Sequence, residues 1–507
     1  MLLLVYPPIS IPSEPPIGIA RLSGALKAHN IPHEVIDANI EGIHWLFKNT
    51  ALSDDTWSKR ARKNLEANIC AIKDGSAFKN ISRYKKTVLE INRLLEMAGL
   101  KKEVKITLTD YVDKRLLPVK SAHLIASAKN FNKNPFFEYF SNRLEAVLKK
   151  ENIDIAGFSI NYLGQALCAF SMIGYLKDTF PRIKVIIGGG LINSWVKRGL
   201  KKHVFNGLVD EMIGGPGETP LLSMLGIKAC QKRQYKPVFE KFKKELYLSS
   251  GIVLPYNTST GCYWNRCTFC PERAERNEYL QIPPEIAVKE LKEIIDTYNP
   301  ALIHLTDNAI HPGMLNEIIG HPLSVPWYGF VRVHPRMEDL NYIKALKESG
   351  CVLLKIGIES AHQEVLDKMK KGLNIEMAKR VLKNLKAAGI GTYIYLLFGT
   401  PYETEESLKK TMEFVITHKD LIDFMNIAIF NMPVNSHDEK DITLKDFYDG
   451  DLCLYTDFIH PRGLSRGYIR RFLEKTFKKH RDIRSIIDRQ PRFFTSSHAP
   501  FFVLTKS

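Results

Sequence analysis

The run Gly261-Cys262-Tyr263-Trp264-Asn265-Arg266-Cys267-Thr268-Phe269-Cys270 follows closely on an apolar, β-prone stretch, Ile252–Thr258. A strand feeding this loop sets three cysteines within nine residues at one strand end. Three thiolates on a short loop reach three corners of an iron–sulfur cube and leave the fourth iron open, whereas full ligation takes four cysteines. The C-x4-C-x2-C spacing also opens plant-type ferredoxin motifs, which hold a two-iron cluster and draw a fourth cysteine from downstream. Here the next cysteine is Cys351, 81 residues further on. Zinc is a third candidate, and needs a further Cys or His to close its tetrahedron. From spacing alone, a four-iron cluster, a two-iron cluster, zinc and a metal-free loop all stay open.

Working outward, the chain alternates between strand and helix patterns from this point on. Strands are predicted at Ile252–Thr258, Leu302–Leu305, Tyr328–Val333, Leu353–Ile358, Tyr393–Leu397 and Met425–Phe430. Helices fill the gaps: Glu285–Ile295, with Val288, Leu291 and Ile295 on one stripe, then Leu340–Ser349 and Glu376–Ala388. The last two stop at Gly350 and Gly389, where glycine accepts left-handed backbone. Six such units within residues 250–435 predict a partial (βα)6 TIM-type barrel. Its chemistry belongs at the carboxyl ends of the strands, where the cysteine loop falls.

Upstream, residues 1–240 show the same α/β rhythm in another form. Strands are expected at Leu2–Val5, Glu34–Asp37, Ile153–Ile160, Lys184–Ile187 and Glu211–Ile213, with helices at Ile17–His29 and Gln165–Thr179. This predicts an N-terminal doubly wound parallel sheet. Gly188-Gly189-Gly190 and Gly214-Gly215-Pro216-Gly217 end two of those strands, where such sheets bind ligands. Residues 43–150 interrupt the rhythm and read as a basic helical insertion. Residues 436–507 read as a small, basic and aromatic helical extension. In it, Ile469, Phe472, Leu473, Phe477 and His480 form a stripe backed by Arg470, Arg471, Lys475, Lys478 and Lys479. The aromatic end, Phe493-Phe494 through Phe501-Phe502, is expected to tuck into the body.

Composition limits the classes open to the chain. With 45% hydrophobic and 25% charged residues in 507, it is neither disordered, collagenous nor a coiled coil. No run approaches the roughly 18 apolar residues of a membrane span. Met1-Leu2-Leu3-Leu4-Val5-Tyr6-Pro7-Pro8 lacks a basic leader and reads as a buried strand rather than a signal peptide. Eight cysteines are too few for a disulfide scaffold, which favours a reducing cytoplasm. The net charge of +17 is concentrated: residues 43–150 carry 22 Lys and Arg against 11 Asp and Glu, and residues 461–490 carry 10 against 3. That distribution describes two basic attachments to a nearly neutral body.

The cysteine run, Gly357-Ile358-Glu359-Ser360, Lys370-Lys371-Gly372 and Tyr395-Leu396-Leu397-Phe398-Gly399-Thr400-Pro401-Tyr402-Glu403-Thr404 together resemble the radical SAM superfamily over residues 250–435. The resemblance implies that Cys262, Cys267 and Cys270 hold a [4Fe-4S] cluster whose open iron is chelated by S-adenosylmethionine. The usual family spacing is C-x3-C-x2-C, so this loop carries one extra residue before Cys267. By the same resemblance Phe269 lies near the adenine, Asp307 meets the cofactor's amine and Arg332 pairs with its carboxylate. Glu359 and Ser360 bind ribose or amine. His304, His311 and His334 fall near the same rim and read as structural.

A parallel sheet ahead of such a barrel resembles a cobalamin-binding domain, with Ser159, Gly188, Gly189 and Gly215 as contacts. The D-x-H-x-x-G signature is missing, because Tyr6–Pro12 has no histidine to ligate cobalt from below. Asp37-Ala38-Asn39-Ile40-Glu41-Gly42 mimics its spacing after the wrong strand. The resulting expectation is a cytoplasmic radical SAM enzyme that methylates an unactivated carbon with cobalamin, served by an external flavodoxin- or ferredoxin-type electron donor. Nucleic acid is not its expected partner. Its rivals are a radical SAM cyclase or rearrangement enzyme, and an iron–sulfur or zinc nucleic-acid-binding protein.

Overall fold

The structure is a computed structural model that describes residues 1–51, 53–228, 234–436, 442–445, 449–492 and 497–503. The chain divides into two compact units, Met1–Ile252 with Tyr448–Leu454, and Val253–Phe447 with Tyr455–Ser507.

The first unit is built on five parallel strands: β1 (Leu2–Tyr6), β2 (His33–Asp37), β3 (Ile155–Ser159), β4 (Lys184–Gly188) and β5 (Glu211–Met212). Their order is β2-β1-β3-β4-β5, with Leu2 beside both His33 and Ile155 and Ile155 beside Lys184. Every residue of β1 is buried, as a strand covered on both faces requires. The strand order reverses between β1 and β3, so the loops leaving those two strands flank the crevice that such sheets offer to ligands. Gln165 stitches the two loops together. Fully buried, it donates to the Pro7 carbonyl at 2.7 Å and accepts from the Asn161 and Tyr162 amides at 2.8 and 3.1 Å.

Between β2 and β3 lie helices Thr56–Lys63, Leu65–Lys73, Ile81–Leu100, Ser121–Lys129 and Phe137–Lys150. An antiparallel hairpin, Val104–Ile106 against Tyr111–Asp113, interrupts this mostly helical insertion. Its three-residue strands are too short to print a period of two on the sequence.

The second unit holds six parallel strands: β6 (Val253–Tyr256), β7 (Leu302–Leu305), β8 (Trp327–Val331), β9 (Cys351–Glu359), β10 (Gly391–Phe398) and β11 (Phe424–Ile429). They are ordered β11-β10-β9-β8-β7-β6, the succession of a partial barrel. Each predicted strand overlaps one of these. A short antiparallel ribbon, Met432–Pro433, Tyr455–Phe458 and Leu444–Lys445, joins the barrel's end to the C-terminal extension, ahead of the extension's helices.

The basic stripe is realised as helix Arg466–Phe472, a wider π turn Leu473–Phe477 and helix Arg481–Arg489. Ile469, Leu473 and Phe477 recur every four residues, slightly more than one α-helical turn, and the π turn keeps them on one face. All three are buried, and Phe398 meets the rings of Phe472 and Phe477 at 6.3 and 5.2 Å.

Phe493–Ser496 of the aromatic end lie outside the described residues. Beyond them, Ala499 is fully buried in a cluster with Val253, Leu302, Leu353, Tyr393 and Phe424. His498 stacks on Tyr393 at 4.5 Å, and a Cβ on Gly391 would stand 2.5 Å from the Phe502 ring. This segment therefore closes the amino ends of the strands, opposite the cysteine loop. No helix among the described residues is long and apolar enough to cross a membrane.

Replacing Gln165 by Leu removes one donor and one acceptor that serve the buried Pro7 carbonyl and the less buried Asn161 and Tyr162 amides. Urea unfolding should register a loss of about 2 kcal/mol or more, since each orphaned buried group costs roughly 1–3 kcal/mol.

Candidate radical-chemistry site

The cysteine loop is a bridge with both ends fastened. It leaves β6 through Ser259–Thr260, which pairs with Leu280–Gln281 in a two-stranded clip, so residues 261–279 form one excursion over the strand end. At the stem, Asp307 leaves β7 and turns fully inward. Its carboxylate accepts from Thr258 Oγ1 at 2.7 Å, Ser259 Oγ at 2.6 Å and the Thr258 amide at 3.0 Å. Burial raises its pKa, and these three donors oppose the rise. Gly261 has φ +72°, and a Cβ there would lie 2.5 Å from the Glu278 carbonyl, so the stem admits only glycine.

The far side docks on the turn that follows the Lys368 helix end. Thr268 N donates to the Met369 carbonyl at 3.0 Å, and Trp264 Nε1 donates to the Lys370 carbonyl at 3.0 Å. A Cβ on Gly372 would collide with the Trp264 ring, which explains a glycine there. Arg332, leaving β8, lies 4.3 Å above Trp264, approaches Cys267 Sγ at 3.8 Å and donates to the Lys371 carbonyl. The extra residue of the C-x4-C segment is accommodated by Asn265 in left-handed backbone (φ 42°), a conformation Asn tolerates well.

Cys267 is buried and Cys262 and Cys270 are partly so, and all three are free thiols. Burial raises the Cys267 pKa against the opposing pull of Lys371 and Arg332, and pushes Cys270 up to about 12. This unit's other cysteine, Cys351, opens β9 at the opposite end of the sheet. Among the described residues no three His, Cys, Asp or Glu side chains converge as a single-ion site. That geometry suits zinc poorly. A cube instead takes one thiolate on each of three irons, so a three-thiol loop flanked by two cations and lacking a fourth cysteine fits it.

Glu359 ends β9 in left-handed backbone (φ 63°), an outlier of the kind held at functional sites. Its Oε1 meets Lys371 Nζ at 2.8 Å, and both side chains are buried. A Cβ on Gly357 would press on both, so glycine clears room for the pair. Lys371 Nζ also lies 5.6 Å above the Phe269 ring. The site thus gathers Cys267, Phe269, Arg332, Glu359 and Lys371. Ser360 lies behind them, fully buried, its hydroxyl 3.4 Å from Thr411 Oγ1 and accepting from the His362 amide. Asp307 and Ser360 therefore spend their polar atoms inside the protein. Trp264, Lys371 and Gly372 act beside the sequence-predicted residues; only the aromatic between cysteines and the Lys-Lys-Gly turn hinted at them.

Of the rim histidines, His311 accepts from the Gly313 amide to cap a helix, with Tyr263 edge-on at 5.0 Å. His334 packs edge-on to Tyr342 at 5.7 Å, and burial pushes its pKa down to about 4. His304 lies deeper, on β7 itself.

In the first unit, Gly189 has φ +104°, and a Cβ there would lie 2.6 Å from the Ile160 carbonyl. Gly215 is exposed in left-handed backbone with open space around it, whereas Gly188 meets no such constraint. Ser159 Oγ accepts from Asn161 Nδ2 at 3.2 Å, and Asn161 Oδ1 accepts from the Gly190 amide at 2.9 Å. Tyr162, half exposed, stands at the same rim. No loop leaving the carboxyl end of these five strands carries a histidine.

Residues 256–415 match the family described as the Radical SAM superfamily. The anaerobic magnesium-protoporphyrin IX monomethyl ester cyclase of Rubrivivax gelatinosus is 27% identical over 179 residues, 34% of this chain and 32% of that protein. An uncharacterized methyltransferase of Pyrococcus horikoshii, PH0819, is 26% identical over 313 residues, 53% of this chain and 65% of that protein. The chain thus spans about one third and about two thirds of these relatives. Among solved structures, the methyltransferase TsrM from Kitasatospora setae superposes with a TM-score of 0.54 at 15% identity, over 93% of this chain and 82% of that one. The cobalamin-dependent radical enzyme OxsB with aqua-cobalamin superposes with a TM-score of 0.54 at 14% identity, over 91% and 64%. These likenesses establish a shared fold.

Two outcomes test this geometry. Asp307→Asn keeps one acceptor oxygen for the two hydroxyls but turns an NH2 donor toward the Thr258 amide, and should cost about 1–3 kcal/mol in chemical denaturation and lower iron uptake. Glu403, fully buried and accepting from the Gly399 and Thr400 amides, has its pKa pushed up by burial to about 8. A carboxyl raised above its unfolded value favours the fold below about pH 4.3 and loses that contribution as pH climbs toward 8. Glu403→Gln should therefore gain stability relative to the parent between pH 5 and 8, read as a rising difference in melting temperature.

Proposed function

We propose that the chain is a cobalamin-dependent radical SAM enzyme that methylates an unactivated carbon. The observation that carries this reading is the three-thiol loop fastened at the carboxyl end of a partial barrel, in a chain that also holds a glycine-rimmed parallel sheet. Cys262, Cys267 and Cys270 would hold the [4Fe-4S] cluster, and the first unit's rim at Ser159, Gly188, Gly189 and Gly215 would take cobalamin without a histidine beneath it. When bound, these groups supply reductive cleavage of S-adenosylmethionine to methionine and a 5′-deoxyadenosyl radical, and a transferable methyl group.

The chain's own residues would prepare that chemistry. Arg332 and Lys371 place positive charge beside the buried Cys267 sulfur and so favour its thiolate. Lys371 fixes Glu359 at the strand end, where the carboxylate is aimed for an amine or a ribose hydroxyl. Phe269 offers a ring face for the adenine. Arg332, held on the Lys371 carbonyl and beside Cys267, would use its remaining N–H donors for a carboxylate. Asp307 and Ser360 would hold the framework, since their polar atoms are engaged within the protein. The electron would come from an external flavodoxin- or ferredoxin-type donor, and a cytoplasmic location accords with free, reduced thiols.

Anaerobic reconstitution tests the reading. We expect about four irons per chain, 5′-deoxyadenosine on reduction, and loss of both in Cys270→Ala. Retention of the iron by that variant would exclude the assigned ligand set. A second reading, radical cyclisation without methyl transfer, is favoured by the match to the ester cyclase. Turnover of methylcobalamin separates the two, because only the methyltransferase consumes it.

A further inference from the structure

Asn426 stands in the middle of β11 and is the sole Asn or Gln on the six barrel strands. Phe424, two residues earlier, belongs to the apolar cluster with Val253, Leu302, Leu353 and Tyr393 that floors the lumen. The alternation of a strand therefore turns Asn426 into the lumen as well, while Met425 between them is buried on the outer face. The register sets Asn426 beside Tyr395, and Tyr395 beside Gly357. The Asn426 side chain is partly exposed, and no group among the described residues hydrogen-bonds to its carboxamide.

An aromatic wall adjoins it. Phe330 of β8 and Tyr395 of β10 lie on strands that β9 separates, yet their rings meet at 5.2 Å and 63°. They meet over Gly357, where a Cβ would come within 3.3 Å of the Phe330 ring. The same Cβ would press on Glu359 and Lys371, so the wall stands immediately beneath that ion pair. Tyr393 continues the wall downward, its ring 4.9 Å from that of Tyr395. Phe330 and Tyr395 are partly exposed, as are Leu397 and Ala428, paired two residues further on. Side chains on the inner face of a filled barrel are buried, so the lumen is open at this level.

Apolar walls with one or two polar groups are the make-up of a ligand site: the walls supply affinity and the polar group fixes orientation. Rings that meet edge to face leave a face free for a third ring. A carboxamide oxygen accepts from an N–H lying in the plane of such a ring.

We propose that Phe330, Tyr395 and Asn426 form the substrate slot, and that the substrate enters it with a flat, nitrogen-bearing ring. The ring's face lies on the two aromatic side chains, and its N–H donates to Asn426 Oδ1. A substrate so held lies directly under Glu359 and the cysteine loop. Naming the occupant a substrate rests on the methyl-transfer reading, whereas the slot itself is tested with neither cluster nor S-adenosylmethionine.

The test is thermal unfolding of the full chain with indole as probe, and with benzothiophene, which has the same shape and no N–H, as comparison. The melting temperature should rise saturably with indole, and half-saturation with benzothiophene should need about three to ten times more ligand, the worth of one hydrogen bond. Asn426→Leu should bring the two ligands within two-fold of each other while still binding both. Tyr395→Leu should weaken both about five-fold, and Phe330→Leu replaces it should that variant not fold. The proposal is overturned if indole gives no saturable shift, if the parent binds both ligands equally, or if Asn426→Leu keeps the parent's preference. It is overturned equally if neither ring substitution weakens binding. A preference that depends on Asn426, in a protein that turns over no methylcobalamin, would keep the slot and remove the methyl-transfer reading. The converse result would remove the slot alone.

Discussion

One buried carboxylate holds the catalytic loop to its barrel. Asp307, at the exit of β7, gathers the backbone of Thr258 and the hydroxyls of Thr258 and Ser259 at the exit of β6. A nineteen-residue excursion over a strand end, residues 261–279, has little regular structure of its own, so its position depends on how its stem and far side are tied. The stem is tied by Asp307, and the far side by Trp264 and Arg332 on the turn at Lys370–Gly372. Charge-assisted bonds in a water-poor setting suit this task, because they are short, directional and costly to break. The result is three sulfurs presented on a loop that is fixed before anything binds.

The same reasoning explains the density of buried charge around that loop. Glu359, Lys371, Arg332 and Asp307 all lie within the protein, yet hydrophobic residues of similar volume would hold the fold as well or better. Their pairing keeps the cost down, and the left-handed backbone at Glu359 adds to it.

Much of this architecture is written in the sequence. β1 is apolar on both faces and β9 on one, and both read as buried strands at once, and the helices predicted at Leu340–Ser349 and Glu376–Ala388 end on glycines as expected. The cysteine loop is legible because its chemistry demands three thiols close together. Contacts that depend on distant partners are not. Nothing local shows that Asp307 turns toward Thr258 and Ser259, or that the Ser360 hydroxyl faces Thr411, 51 residues away. Gln165 joins two loops 158 residues apart, and no pattern near it announces Pro7 as its partner. The hairpin at 104–113 and the ribbon around Tyr455–Phe458 escape for another reason, since strands of two to four residues carry too little periodicity to stand out.

We propose that three cysteines hold a cube whose remaining iron accepts a sulfonium substrate. Electron paramagnetic resonance of the dithionite-reduced, anaerobically assembled protein addresses it directly. We expect the signal of a reduced four-iron cluster, with g-values that move when S-adenosylmethionine is added. A two-iron spectrum, a silent protein carrying tightly held zinc, or a four-iron signal indifferent to S-adenosylmethionine would contradict the account.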